Sequence, residues 1–329
     1  MAGPFDILVE RLSAAGSLLV VTHGRPDGDA LGSAAGLALS ARAAGKQARV
    51  LVPDAVPSRY DWLVEGLDVA SAGDFDALAA QVDAVVIVDT CAVEQLDGLE
   101  AGLDQHRDRI VVVDHHATAD EIGAARWLDT SAAAAGVMVA ELLDALGWPT
   151  ADRVAEALMA AVTTDTGWFR FANTDARALR CVARFIESGA KPDALYRKIF
   201  QADRPQRLAL LARTLASLEL HCGERLAAMT IRKADFDATG ATPDETENFV
   251  NEALRISSVE VSIIVVENGE VVRASLRSRE GVDVSEIARR FGGGGHARAA
   301  GLRSDAPLDT LKSQLLDACA AALGCFPAG

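Results

Sequence analysis

Short runs of aliphatic residues recur along the first third of the chain: SLLVVT (17–22), ARVLVP (48–53), AVVIVD (84–89) and IVVVD (110–114). Near-continuous Val, Ile and Leu is the pattern of strands buried on both faces, as in a parallel sheet covered by helices. Between the runs lie Ala- and Leu-rich segments such as LGSAAGLALSARAAG (31–45), with Gly45 placed to close the helix. This alternation predicts an α/β domain built on a doubly wound, mainly parallel sheet. Ligands of such sheets collect beyond the carboxyl ends of the strands.

From about 132 to 217 the spacing becomes helical, with VAEALMAAVTTD (154–165), ARALRCVARFIES (176–188) and RPQRLALLARTLASL (204–218). A different module begins near 219. VEVSIIVV and VVRASLRSR flank Asn268-Gly269, which suits the turn of a β-hairpin. A helix over VSEIARRF (284–291), a glycine run and a last helix from about 307 follow. The division expected is therefore an α/β domain over 1–188, a helical connector over 189–218 and a smaller α/β domain over 219–329.

A chain of 329 residues, half of them apolar, supports two cores rather than one. Its net charge of −15 argues against a grip on long nucleic acid, which needs a broad basic face. A small phosphorylated substrate held at a local basic patch stays compatible. The five cysteines form no CxxC pair and no signal peptide precedes them, so all five are expected to be reduced, small buried side chains of a cytoplasmic protein. The longest small and apolar run, AAAAGVMVA (132–140), is far short of a membrane span.

Three of the four strand candidates end in acids or histidines. His23, Asp27 and Asp29 follow the first, in HGRPDGDALGS; Asp89 ends the third, in VDTC; Asp114, His115 and His116 end the fourth. Asp165, in TTDTG, ends a helical run downstream. Singly, these have bland readings: Asp27 and Asp29 as turn and helix-capping residues, Asp89 as a common strand-end acid, the histidine pair as structural. Together they would crowd carboxylates at one sheet edge, where each raises the others' pKa values. A multivalent cation removes that conflict, and imidazole with carboxylates suits Mn²⁺, with Mg²⁺ or Co²⁺ as alternatives.

HGRPDGDALGS, VDTC, VDHHAT and TDTGWF, in this order, resemble the four motifs of the DHH phosphoesterase superfamily, and RFGGGGHARAAG resembles the substrate-binding domain associated with it. Both motif sets in a chain of this length are most similar to the nanoRNase/pAp phosphatase type. The resemblance implies two divalent metals about 3.5–4 Å apart, as in other two-metal phosphoryl-transfer sites. It implies one metal at His23, Asp27 and Asp89, and the other at Asp29, Asp89, His115 and Asp165, with Asp89 bridging. Asp114 would orient a histidine, and His116 would meet the scissile phosphate or leaving oxygen. Pro26 would stiffen the first loop, Gly28 would bend it between ligands, and Gly32-Ser33 would open the next helix.

The last 105 residues are only mildly acidic, with 12 Lys and Arg from Arg225 onward against 15 Asp and Glu, and 287–304 holds four arginines and no acid. Gly294, Gly295, His296 and Arg298 would form an anion cradle, in preference to a flexible linker. Strand alternation puts Arg273, Ser275 and Arg277 on one face; the resemblance marks Ser275 and Arg277 as contacts to phosphate or base, whereas Arg273 reads as ordinary solvated surface. In GWFRF (167–171) the aromatics read as core, and Arg170 as the substrate contact. The expected activity is two-metal hydrolysis of short oligoribonucleotides to mononucleotides, and of pAp to AMP. A cyclic or linear dinucleotide phosphodiesterase is the alternative, and a nucleotide-binding protein without turnover the reading of another class. The expected partners are short RNA or nucleotides, with neither long nucleic acid nor a membrane; Ala-rich helices and family habit raise homodimerisation.

Overall fold

The computed structural model describes residues 3–269 and 271–325, and backbone proximity divides the chain into two units, Met1–Ala202 and Asp203–Gly329. The first unit holds six strands: β1 (Ser17–Val21), β2 (Gln47–Leu51), β3 (Val69–Ala70), β4 (Ala84–Val88), β5 (Ile110–Asp114) and β6 (Ala125–Leu128). All neighbours are parallel, in the order β3-β2-β1-β4-β5-β6. The four aliphatic runs are thus β1, β2, β4 and β5. The two edge strands carry no such run: β3 is two residues long, and β6 reads ARWL.

Helices cover both faces of this sheet, as burial on both faces requires. They are α1 (Pro4–Ala14), α2 (Gly28–Ala43), the short α3 (Asp61–Val64), α4 (Phe75–Ala79) and α5 (Glu100–Gln105), then α6 (Ala135–Leu146), α7 (Arg153–Asp165), α8 (Ala176–Glu187) and α9 (Pro192–Phe200). Leu18 and Val20 join the core under α1, α2 and α6–α9, while Leu19 and Val21 join the core under α4 and α5. Strand order reverses between β1 and β4, where a doubly wound sheet opens a crevice at its carboxyl edge.

The first motif folds differently from the turn expected of it. α2 begins at Gly28, with Asp27 as its N-cap accepting from the amides of Asp29 and Ala30. Gly32 and Ser33 therefore lie within the helix rather than opening it, and Gly28 does not bend the chain. Glycines 28, 32 and 36 instead share one helix face against α7. A Cβ at Gly28 would collide with Thr164; at Gly32 it would lie 2.5 Å from Ala157 O, and at Gly36 2.6 Å from Leu158 Cδ2. The cause is close helix approach, which a spacing of four residues signals as well as a turn does.

In the second unit, β7 (Glu219–His221), β8 (Leu226–Ile231), β9 (Val261–Asn268), β10 (Val271–Ser278), β11 (Gly294–His296) and β12 (Ala299–Ser304) form a mixed sheet in the order β11-β12-β10-β9-β8-β7. α10 (Pro205–Ala216) and α11 (Lys233–Thr239) serve the core on one face; α12 (Val284–Arg289) and α13 (Leu308–Ala322) serve the other. The predicted hairpin is β9–β10, paired Asn268 with Val271, so the loop is 269–270 rather than Asn268-Gly269. Gly269 has φ +69°, and residue 270 lies outside the described residues.

The cysteine expectation is corrected. Cys222, after β7, is disulfide-bonded to Cys325, just beyond α13, across 103 residues of sequence, while Cys91, Cys181 and Cys319 are free and buried. Their pairing is made by tertiary approach of two chain segments and leaves no mark in local spacing. No helix among the described residues is long and apolar enough to cross a membrane.

Because Gly32 faces backbone rather than a movable side chain, Gly32→Ala should destabilise the protein by about 1–3 kcal/mol through overpacking. Urea unfolding measures this; a stability equal to that of the wild type would contradict the α2–α7 contact.

Candidate metal centre

The carboxyl ends of β1, β4 and β5 carry the acids and histidines named above, and parallel pairing with aligned register brings them together. Asp89, directly after β4, takes a left-handed conformation (φ +64°), uncommon for a residue with a side chain. Its amide still donates to Val113 O on β5, so the bend starts where the ladder ends. Asp165 ends α7, and the close α2–α7 packing carries it to Asp29.

Three groups offer donor atoms that lie within 4.8 Å of one another: His23–Asp27–Asp89, Asp29–His115–Asp165 and Asp89–His115–His116. His23 Nε2 is 3.5 Å from Asp89 Oδ2, and His115 Nε2 is 3.4 Å from Asp89 Oδ1 and 3.7 Å from Asp29 Oδ2. Asp89 thus lies between the two sides of the cluster. Asp29 is fully buried, held by Ser33 Oγ (3.0 Å) and by the first amides of α6, Ala135 N (2.7 Å) and Gly136 N (2.9 Å). A helix N-terminus is a favourable place for a carboxylate.

Asp114 faces His116: its Oδ1 is 2.7 Å from His116 Nδ1 and accepts from the His116 amide. This is the contact that an orienting role for Asp114 requires.

The electrostatics show a site short of positive charge. Burial would lower His23 and His115, but hydrogen bonding to Asp89 and its charge outweigh burial and raise them to about 9 and about 10. Burial pushes Asp165 up to about 7, and burial beside Asp89 also pushes Asp29 upward against its three donors. Burial would raise Asp89 as well, but the nearby His115 and His23 imidazoles bring it below the usual carboxylate range. Asp89 Oδ1 is buried without a hydrogen bond of good geometry. Imidazole and carboxylate donors, converging around an orphaned carboxylate oxygen, fit divalent cations with oxygen and nitrogen preference.

The remaining expected contacts belong partly elsewhere. Gly167, Trp168 and Phe169 are three successive left-handed residues (φ +55°, +58°, +67°), a costly run for aromatic side chains. Trp168 is anchored edge-on to Tyr196 and Phe200, and Trp168 and Phe169 pack on the core, but Phe171 is 45% exposed, which corrects the core reading for that ring. Arg170 is exposed, and its Nε donates to Gly167 O, so it also ties this turn.

In the second unit the glycine run is not a linker: Gly294–His296 is the edge strand β11. Gly295 is in the left-handed region (φ +135°), and a Cβ on Gly293 or Gly295 would strike β12 backbone. The register puts His296 opposite Ala299 and Ala299 opposite Arg277; one row along, Gly294, Gly301 and Ser275 align. Facing residues share a sheet face, so Arg277 and Ser275 stand on one side and His296 on the other of a floor of Ala299 and Gly301. Arg298 is exposed next to this row. Arg303, opposite Arg273, extends the same face and was missed from sequence because only the register pairs it. Asn173 was also missed; its side-chain amide reaches Asp165.

A family model described as "DHH family, N-terminal domain" matches residues 17–162, and one described as "DHHA1 domain" matches 224–324. The chain belongs to the DHH phosphoesterase family. It is 30% identical over 286 residues to the bifunctional oligoribonuclease and PAP phosphatase NrnA of Thermus thermophilus, covering 87% of this chain and 83% of that one. It is 25% identical to the Bacillus subtilis protein of the same name, covering 89% and 91%. Its fold is that of an exopolyphosphatase-related protein from Bacteroides fragilis, with TM-score 0.90 at 23% identity over 98% and 95% of the two chains.

Metal ligands bind deprotonated. Raised pKa values favour the protonated forms of His23, His115 and, in part, Asp165 near neutral pH, and a cation held by these groups would displace those protons. Mn²⁺ affinity should therefore rise between pH 6 and 8, by about tenfold per pH unit for each proton released. Calorimetry in buffers of different ionisation enthalpy counts those protons; affinity independent of pH would refute the cluster as a cation site.

Proposed function

We propose that this chain is a metal-dependent phosphoesterase that hydrolyses short oligoribonucleotides to mononucleotides and pAp to AMP. The observation that carries the reading is the convergence of His23, Asp27, Asp29, Asp89, His115 and Asp165, with His116 turned by Asp114. The two curated relatives are named for both activities. Two divalent ions, most simply Mn²⁺, would be held by His23, Asp27 and Asp89 and by Asp29, Asp89, His115 and Asp165, and would supply Lewis acidity and a water of lowered pKa.

The protein's own groups then have distinct tasks. Burial works against the charged form of His116, and its hydrogen bond to Asp114 raises its pKa on balance. Its Nε2 can donate to a phosphoryl oxygen and pass a proton to the leaving oxygen. Arg277 is desolvated on its sheet face and lowered by burial, with the charge of Glu247 acting to raise it. A phosphate in the trough with Ser275, Arg277, His296 and the strand Gly294-Gly295 would restore that missing charge, with Arg298 and Arg170 as outlying contacts. One confined basic face in a chain of net charge −15 fits short substrates. The setting is the cytoplasm, where short RNA fragments and pAp arise; the Cys222–Cys325 bond removes the cysteine count as support for that.

Chelator-stripped protein resupplied with Mn²⁺ should convert pApA and pAp to AMP. Turnover of cyclic di-AMP alone would favour the dinucleotide alternative, and turnover of none of these would leave only a binding protein. His116→Ala should lower kcat by about 10²–10⁴-fold while metal content stays unchanged. Arg277→Ala and His296→Ala should instead raise KM, with both metals retained; loss of metal in either would contradict the division of roles.

A further inference from the structure

Asp29, His115 and Asp165 come from three separate elements, yet one five-residue stretch of backbone meets the first two directly and the third through the side chain of Asn173. Ala132 O is 3.1 Å from His115 Nδ1. Ala133 O accepts from Asn173 Nδ2 at 2.9 Å, and the same amide nitrogen is 3.2 Å from both Asp165 O and Asp165 Oδ2. Ala135 N and Gly136 N hold Asp29. Gly136 is needed for this approach, since a Cβ there would lie 2.5 Å from Ala161 Cβ on α7 and 3.5 Å from Asp29 Oδ1.

Among the described residues, His23 on the other side of the cluster makes no hydrogen bond to that stretch. His23 Nδ1 meets the carbonyl of its own neighbour, Gly24, at 2.8 Å, and Asp27 Oδ1 caps the helix it begins. Those contacts are local to a loop whose Arg25 is itself left-handed (φ +52°). Asp165 is the special case within the supported group. Sheet register fixes the strand-end ligands, whereas Asp165 sits at a helix end followed by the left-handed turn 167–169. Asn173 returns from beyond that turn to tie the Asp165 carboxylate to the Ala133 carbonyl.

We propose that Ala132–Gly136 and Asn173 form an orienting frame for one cation position, that of Asp29, His115 and Asp165, which therefore fills first, while the His23–Asp27–Asp89 position fills second. Asn173 is the positioning residue of that frame. The proposal rests on the metal-centre reading above and adds the order of filling and its cause. A frame already hydrogen-bonded before the ion arrives spares the ion the entropy of ordering its ligands. Loss of one such outer contact typically lowers metal affinity by about 10–100-fold.

The test is calorimetric titration of Mn²⁺ into the chelator-stripped full chain, for the wild type, Asn173→Ala, Asn173→Ser and Asp27→Ala. The wild type should show two resolved steps. Both Asn173 variants should weaken the tighter step by about 10–100-fold and leave the weaker one in place. Asp27→Ala should remove the weaker step and spare the tighter. Mn²⁺ paramagnetic resonance at one equivalent gives an independent reading: isolated ions in the wild type, a mixture including coupled pairs in Asn173→Ala. Circular dichroism establishes that each variant is folded, and an Asn173→Ala that unfolds leaves Asn173→Ser to decide. Two equal steps in the wild type, or Asn173 variants that change neither step or both alike, would overturn the frame while leaving the metal centre intact. A wild type that binds no Mn²⁺ would overturn both.

Discussion

Several carboxylates must sit within a few ångströms of one another at the edge of a buried sheet, and this repulsion sets the terms for the rest of the fold. Asp29, Asp89 and Asp114 are all buried. Each has a different source of relief. Asp29 has the α6 amides and Ser33, Asp89 has two histidines, and Asp114 has His116. These donors lessen the cost without cancelling it, as the upward shifts of Asp29 and Asp165 show. A polypeptide rarely spends this much buried charge for stability alone, because a broken or incomplete buried ion set is strongly destabilising. The imbalance is one that a bound cation could relieve.

Delivering those groups to one place is a matter of backbone geometry. The parallel register aligns the ends of β1, β4 and β5, so three of the four motifs arrive through ordinary ladder pairing. The fourth arrives through helix packing. Glycines 28, 32 and 36 strip one face of α2, α7 moves in against it, and the end of α7 brings Asp165 to Asp29. The same glycine that starts α2 lies between Asp27 and Asp29, so a single residue choice serves both the cap and the close approach.

What the sequence made legible follows the same physics. Buried parallel strands announce themselves as aliphatic runs, and acids that end such runs are visible because position along a strand converts directly into position in space. The edge strands β3 and β6 lacked that signal, since an edge needs fewer buried faces. The helical role of Gly28 and Gly32 was hidden because a turn and a helix crossing both call for glycine. That the GGGG run ends in an edge strand was hidden because its strand partner, Ala299–Ser304, identifies itself only through register. Cys222 with Cys325 and Asn173 with Ala133 are contacts between distant segments with no local pattern at all.

The two units therefore solve opposite electrostatic problems with the same device. In the first, excess negative charge is held by backbone amides and histidines and could be balanced by cations. In the second, Arg277 is desolvated on a sheet face that it shares with the small residues Ala299 and Gly301. An arginine short of counter-charge in one unit and a carboxylate cluster short of positive charge in the other are, each within its own unit, electrostatically incomplete.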